Sequence, residues 1–169
     1  AVERLDGLFT PDRIYLSTVA EQAQGLQAQA PHIPVENYLL EPMPRGTASV
    51  VGFAAVAIQN RDPQGSMAVV TADHIIGNEE KFQQLLMAAY ESAQDGYLVT
   101  LGISPTSPST GYGYIQQGEL LGNYRGQKVF RALKFREKPN LERAQKMLAG
   151  GDHTWNSGMF IWRVDSVMA

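Results

Sequence analysis

Val69-Val70-Thr71-Ala72-Asp73-His74 is the stretch on which the reading of the fold turns. It continues Met67 and Ala68, and such an apolar run predicts a strand buried on both faces, as in a parallel sheet. The strand ends in Asp-His, and Ile75-Ile76-Gly77 leads on to a helix start. In open α/β sheets, ligands bind beyond the carboxyl ends of the strands. A carboxylate placed there can hold a divalent cation, which in turn can hold phosphates. Taken alone, Asp73 reads first as a turn cap and His74 as a packing residue. The rest of the chain changes that balance.

The 169 residues suffice for one domain with a sizeable core. Hydrophobic residues make up 44% and charged residues 18%, the ordinary composition of a soluble globular protein. A net charge of −3 argues against a broad phosphate-binding basic surface, and so against nucleic acid as a partner. With no cysteine, disulfides and thiolate metal sites are excluded. The longest apolar run, Val50 to Ile58, is too short to span a bilayer. No secretory leader is legible, so the expectation is a cytoplasmic protein with no membrane partner. Ala1-Val2-Glu3-Arg4-Leu5 reads as the middle of a helix, with Leu5 and Leu8 on a buried stripe and Gly7 weakening its end.

Outward from the central stretch, hydrophobic periods alternate. Residues 13–17 predict a strand after the Pro11-Asp12 turn, and Val19 to Ala30 a helix. Tyr38-Leu39-Leu40 predicts a short buried strand that runs into Glu41-Pro42-Met43-Pro44-Arg45-Gly46-Thr47. Two prolines stop that strand, Gly46 permits a tight turn, and Thr47 suits a helix cap. The helix from Ala48 to Asn60 is apolar nearly all round and should be buried. Its start gathers Arg45, the Gly46 backbone and the Thr47 hydroxyl, which suits an anion or a hydrogen-bonding ring, or simply an ordinary capped helix. Beyond Asp73, Asn78 caps an amphipathic helix carrying Phe82, Leu85, Leu86 and Ala89 at helical spacing. Asp95-Gly96 ends it, and Tyr97 to Ile103 predicts another buried strand. This alternation argues for a parallel sheet with helices on both faces.

The later segments change character. A Ser/Thr/Pro loop, 104–110, precedes the extended run Gly111-Tyr112-Gly113-Tyr114-Ile115, with Tyr112 and Tyr114 on one face and Gly113 baring the other to a ligand or a backbone. In the strand from Lys128 to Glu137, period two places Leu133, Phe135 and Glu137 on one face. A carboxylate that continues an apolar face is costly unless it is paired or ligand-bound, although a strand end can also open to water. Lys138 has the opposite parity and joins Glu137 only if the chain twists before Pro139. Asn140 starts a helix ended by Gly150-Gly151. In the last strand, Thr154 to Arg163, Asn156 and Gly158 share a face, an amide beside bare backbone that suits sugar hydroxyls. Trp155, Phe160 and Trp162 suit a core or a platform, with core the first reading.

Five motifs then stand in order: Glu41-Pro42…Arg45-Gly46-Thr47-Ala48, Thr71-Ala72-Asp73-His74, Thr110-Gly111-Tyr112-Gly113-Tyr114-Ile115, Phe135-Arg136-Glu137-Lys138-Pro139 and Trp155-Asn156-Ser157-Gly158-Met159-Phe160. From about Arg13 onward the chain resembles the nucleotidyltransferase domain of mannose-1-phosphate guanylyltransferases, also called GDP-mannose pyrophosphorylases. The ordered set is specific for sugar nucleotidyltransferases, and Trp-Asn-Ser-Gly-Met-Phe favours the mannose branch.

The resemblance implies a three-layer αβα Rossmann-like fold around a mixed, mostly parallel sheet. It implies in-line attack of mannose 1-phosphate on the α-phosphorus of GTP, giving GDP-mannose and pyrophosphate, with Mg²⁺ as cofactor. Arg45, Gly46 and Thr47 then correspond to the guanine-binding turn, shaped by Glu41 and Pro42. Asp73 corresponds to a magnesium ligand, Gly113 (with Gly111 and Tyr112 beside it) to the backbone against the sugar, and Glu137 to the carboxylate on the sugar hydroxyls. Lys138 corresponds to the lysine facing the sugar phosphate, and Asn156, next to Gly158, to the amide reading the sugar. Asp73 and Lys138 are the expected catalytic pair. The family often has Asn or Asp where Gly46 stands. Its first strand and Gly-rich loop, its second metal-binding Asp and its C-terminal region have no counterpart in these residues. The expectation is therefore an internal portion of one nucleotidyltransferase domain, 1–169, inactive and poorly soluble by itself. The resemblance leaves room for a homo-oligomer, for glucose 1-phosphate with UTP or dTTP as substrates, and for a non-catalytic sugar-nucleotide-binding module.

Overall fold

The computed structural model describes residues 2–169. The chain divides into two compact units. The first runs through Met67 and takes in Ala72–Gln83 and Arg163–Ala169; the second comprises Ala68–Thr71 and Gln84–Trp162.

In the first unit, β1 (Leu16–Val19) pairs in parallel with β2 (Tyr38–Glu41), Leu16 opposite Tyr38 and Val19 opposite Glu41. Helix α1 (Ala20–Gln29) connects them. β1 begins later than expected because Pro11–Arg13 forms a 3₁₀ turn whose carbonyls are used locally, Arg13 N–H donating to Thr10 and Ile14 N–H to Pro11. Buried Asn37 locks that turn by donating to the carbonyls of Asp12 at 2.9 Å and Ile14 at 3.0 Å. Glu3–Leu5, expected as helix, is a 3₁₀ turn, and Gly7, with φ 83°, ends any helical continuation beyond it.

Helix α2 (Thr47–Arg61) was expected to be buried all round, but only Val51 and Ala55 are. Phe53 is 42% exposed and Val56 46%. This helix meets its described neighbours, β2 and α5 (Val164–Met168), along one stripe only, and residues four apart are what one stripe covers. Thr47 is not the cap. Gly46 occupies that place with φ 83°, and Thr47 is the first helical residue.

The second unit holds most of a five-stranded sheet. β3 (Ser66–Val69), β7 (His153–Arg163), β5 (Tyr114–Tyr124) and β6 (Gln127–Arg136) follow in that order, with β4 (Val99–Ile103) also on β7. β4–β7, β5–β6 and β5–β7 are antiparallel. β1 and β3 lie in different sheets, so they do not pair directly. Antiparallel contacts enter because β5 and β6 form a hairpin and β7 returns against both β4 and β5.

The core of this unit gathers Tyr114, Ile115, Met159, Ile161 and Trp162 with Leu86 and Ala93 of α3 (Glu79–Gln94). Asn78 caps α3 as expected, accepting from Lys81 N–H at 2.8 Å. Asn140 caps α4 (Leu141–Gly150), accepting from Arg143 N–H at 3.0 Å. β3 and β4 were expected to be fully buried. Ser66, Ala68 and Val69 are only half-buried, and Leu98 and Ile103, at either end of the β4 segment, are exposed. Gly111–Gly113 is not strand. Tyr112 and Tyr114 therefore do not share a face: Tyr112 is 53% exposed against the Trp155 ring, centroids 4.9 Å apart, whereas Tyr114 is fully buried. No described helix is long and apolar enough to cross a membrane.

Candidate functional site

The second unit brings together the sugar-facing candidates. Gly113, Glu137 and Asn156 are far apart in sequence yet meet at one point. A Cβ built on Gly113 would lie 2.7 Å from Glu137 Oε2 and 3.6 Å from Asn156 Cβ. Asn156 N–H donates to the Gly113 carbonyl at 2.8 Å, which fixes the two backbones. The missing side chain at Gly113 is thus what lets the Glu137 carboxylate approach the chain.

Asn156 is anchored through its carbonyl oxygen. Oδ1 accepts from the Thr100 hydroxyl at 3.3 Å and from Gly158 N–H at 3.1 Å. The single Thr100 hydroxyl proton is shared between Asn156 Oδ1 and the nearer Met159 carbonyl at 3.0 Å. With Oδ1 engaged, the Asn156 amide keeps two N–H donors for a ligand. Gly158 has φ 71°, and a Cβ on it would meet Thr71 Cγ2 at 3.3 Å, so Gly158 sits against the chain entering the Asp73 loop. Thr100 was missed in the sequence, where one threonine in an apolar strand gives no signal of its partner.

Glu137 follows β6 directly and is open to solvent, its side chain 71% exposed. Phe135 and Leu133 on the same parity are exposed as well, so no buried apolar face surrounds this carboxylate. The twist required for Lys138 is present: its φ is 40°, in the left-handed region that a non-glycine residue rarely occupies. Lys138 Nζ thereby reaches 3.8 Å from Glu137 Oε1, a loose exposed pair that leaves both groups available to a ligand. Gly111 N–H is already engaged by the Ser109 hydroxyl at 3.2 Å, and the Tyr114 hydroxyl donates to the Ser109 carbonyl at 2.9 Å. These bonds hold the loop before β5 in place.

The first unit carries the other candidates. Pro42, Arg45, Gly46 and Thr47 are exposed, and Glu41 accepts from the Ser17 hydroxyl at 3.2 Å across the β1–β2 pair. Leu40, Glu41, Pro42, Met43, Arg45 and Phe53 border an open hollow of about 470 Å³ at the start of α2. The Gly46 carbonyl accepts from Ser49 and Val50 N–H, while the helix's first N–H groups have no intrahelical acceptor.

Asp73 lies in an irregular segment, residues 70–78, between β3 and α3. Its carboxylate is exposed and makes no hydrogen bond or ion pair among the described residues. The described residues include no group of three or more His, Cys, Asp or Glu placed to hold a metal. The next residue, His74, is tied: its carbonyl accepts from Arg4 Nη1 at 2.9 Å.

A sheet joined to helices, with a glycine-backed carboxylate, an amide and a lysine in one unit and a helix-start turn in the other, belongs to a known class. Residues 11–168 match the family described as Nucleotidyl transferase, and the chain belongs to that family. It is 42% identical over 147 residues, 86% of its length, to the mannose-1-phosphate guanylyltransferase of Escherichia coli K12, covering 30% of that protein. It is 44% identical over 147 residues to the mannose-1-phosphate guanylyltransferase ManC of Salmonella typhimurium, again covering 30%. The fold is similar to the crystal structure described as mannose-1-phosphate geranyltransferase from Thermus thermophilus, with a TM-score of 0.86 and 33% identity over 98% of this chain and 46% of that one. The chain thus spans about 30% of the length of the curated relatives named.

Proposed function

We propose that the protein is a mannose-1-phosphate guanylyltransferase, which joins GTP and mannose 1-phosphate into GDP-mannose and releases pyrophosphate. The observation that supports this reading best is the meeting of Gly113, Glu137 and Asn156. A carboxylate acceptor, two amide donors and bare backbone match the mixed donor and acceptor pattern of a pyranose. The relatives' names supply mannose and guanine.

In this reading Glu137 accepts from sugar hydroxyls, Asn156 donates to the ring substituents, and Lys138 faces the phosphate of mannose 1-phosphate. An oxygen of that phosphate attacks the α-phosphorus of GTP in line, forming one P–O bond as the bond to the pyrophosphate oxygen breaks. Such a transfer relies on positioning and charge neutralisation more than on covalent help. Arg45 and the backbone from Gly46 to Thr47 hold the guanine, with Glu41 and Pro42 shaping the turn. Asp73 is the residue that would hold Mg²⁺. An exposed carboxylate without a protein partner fits this ion, which takes one or two carboxylates together with substrate phosphates. When bound, the ion supplies charge neutralisation at the triphosphate. A cytoplasmic location, where both substrates are at hand, belongs to the same proposal.

Pyrophosphate release, measured with the full-length protein across sugar 1-phosphates and nucleotides, tests it. Mannose 1-phosphate with GTP is expected among the best pairs. A clear preference for glucose 1-phosphate with UTP or dTTP would move the assignment within the family, and GDP-mannose binding without turnover would make the protein a binding module.

A further inference from the structure

Arg4 plays no part in the reading above, yet it is only 4% exposed. An arginine is almost never fully buried unless paired, so its contacts carry information. Its guanidinium lies 5.5 Å from the centroid of the Phe82 ring, itself buried on α3. From there Nη1 donates to the His74 carbonyl at 2.9 Å, across 70 residues of sequence. Its own backbone is held too: Gln83 Nε2 donates to the Arg4 carbonyl at 3.2 Å and to the Asp6 carbonyl at 3.0 Å. A continuous set of contacts therefore leads from the start of α3, through Gln83, Phe82 and Arg4, to the residue after Asp73.

The segment it reaches needs such an anchor. Residues 70–78 form neither helix nor strand, and Ile75 is 99% exposed. A segment of that kind samples many backbone states unless something fixes it, and each residue left free must be ordered, at an entropic cost, when a ligand binds. Asn78 fixes its far end through the α3 cap. Arg4 fixes its middle, at the residue that follows Asp73. Ligand carboxylates act well only when their support is locked.

We propose that Arg4 is a positioning residue for Asp73: by holding the His74 carbonyl it presets the carboxylate for the divalent cation that accompanies GTP. This inference rests on the assignment of Asp73 as the metal ligand.

The test uses the full-length protein with Mn²⁺ as the cation and GTP, without mannose 1-phosphate, so that no turnover occurs. GTP affinity is measured with and without Mn²⁺ for wild type, Arg4→Met, Arg4→Lys and Asp73→Asn. Arg4→Met keeps an unbranched apolar stem but removes every donor and the charge over Phe82. It should lose about tenfold of the tightening that Mn²⁺ gives to GTP binding, with metal-free GTP affinity unchanged. Arg4→Lys keeps the charge and a donating ammonium without the planar fork, and should fall between wild type and Arg4→Met. Asp73→Asn should lose nearly all the tightening. If Asp73→Asn loses it and a folded Arg4→Met keeps it in full, Arg4 is structural only and the proposal fails while the metal assignment stands. If Asp73→Asn itself keeps the tightening, the metal assignment fails and this inference with it. Should Arg4→Met not fold, Arg4→Lys decides by the same criterion: full wild-type tightening overturns the proposal, partial loss supports it.

Discussion

The two units hold their candidate residues by different means. In the second, the candidate side chains are cross-linked: Asn156 to Thr100, Gly158 and the Gly113 backbone, with one oxygen of the exposed Glu137 carboxylate in the space that Gly113 leaves. In the first, the candidates lie on exposed loops, and their support comes from neighbours. Asp73 has no side-chain partner among the described residues, and the Arg45–Thr47 turn is shaped by one glycine conformation. Two glycines show the contrast. At Gly113 φ is unremarkable and space is short; at Gly46 φ is 83° and nothing lies within 4 Å of a built Cβ. One glycine makes room for the Glu137 carboxylate, the other gives the chain a direction. Recognition of a sugar requires many fixed donors and acceptors, whereas a triphosphate with its cation can order loops as it binds.

The largest effect expected of any single change sits on the loosely held side. Asp73→Asn in the full-length protein should lower turnover by on the order of 10²-fold or more, with the fold intact, because the amide keeps the shape and removes the charge a cation needs. Wild-type rates with unaltered Mg²⁺ dependence would remove Asp73 from the site. Next comes Gly113→Ala. The added methyl would sit 2.7 Å from Glu137 Oε2, and since that atom ends a flexible side chain, the fold yields there first. A rise of about tenfold in KM for mannose 1-phosphate, with KM for GTP little changed, is expected from one misplaced hydrogen-bonding group. Equal loss on both substrates would mean that the two sides are not separable in this way.

Gly46→Ala should do the reverse on a smaller scale. It meets no neighbour but places a side chain at positive φ, costing about 1–2 kcal/mol of backbone strain, read as a lower Tm and a raised KM for GTP only. Thr100→Val removes the hydroxyl that holds Asn156 Oδ1. A loss of about 1 kcal/mol is expected, seen as a rise of several-fold in KM for the sugar phosphate.

The smallest effect concerns Asp152, which accepts from Gln116 Nε2 at 2.9 Å and pairs with His153 Nδ1 at 2.6 Å. The Gln116 hydrogen bond first, then His153, holds its carboxyl below the usual value of 3.8. A carboxyl lowered in the folded state stabilises it above the unfolded pKa, and that contribution is lost as pH falls through the folded pKa. Acid unfolding followed at and below pH 3.8 should therefore be less steep in Asp152→Asn than in wild type, with near-identical behaviour at neutral pH.

Much of the architecture was legible because it is local. The Asn78 and Asn140 caps, the stop at Gly96 and the 3.6-residue period of α3 each depend on a few neighbouring residues. Gly113, Glu137 and Asn156, the candidates for a sugar site, were likewise singled out from residue type and strand position. Where the reading failed, distant contacts decided. The 3₁₀ turn at Pro11–Arg13 is locked by Asn37, α2 is covered on a single stripe, and Tyr112 leaves the parity of Tyr114 because Gly111–Gly113 never joins the strand.

By itself, then, the sequence determined the family motifs and the order in which they occur, since motif, cap and period are properties of adjacent residues. Only the tertiary structure decided that Gly113, Glu137 and Asn156 meet, that Lys138 turns back to Glu137 through a left-handed residue, and that a buried arginine holds the residue next to Asp73. Those are contacts between residues tens of positions apart or backbone states set by packing, and no local pattern encodes them.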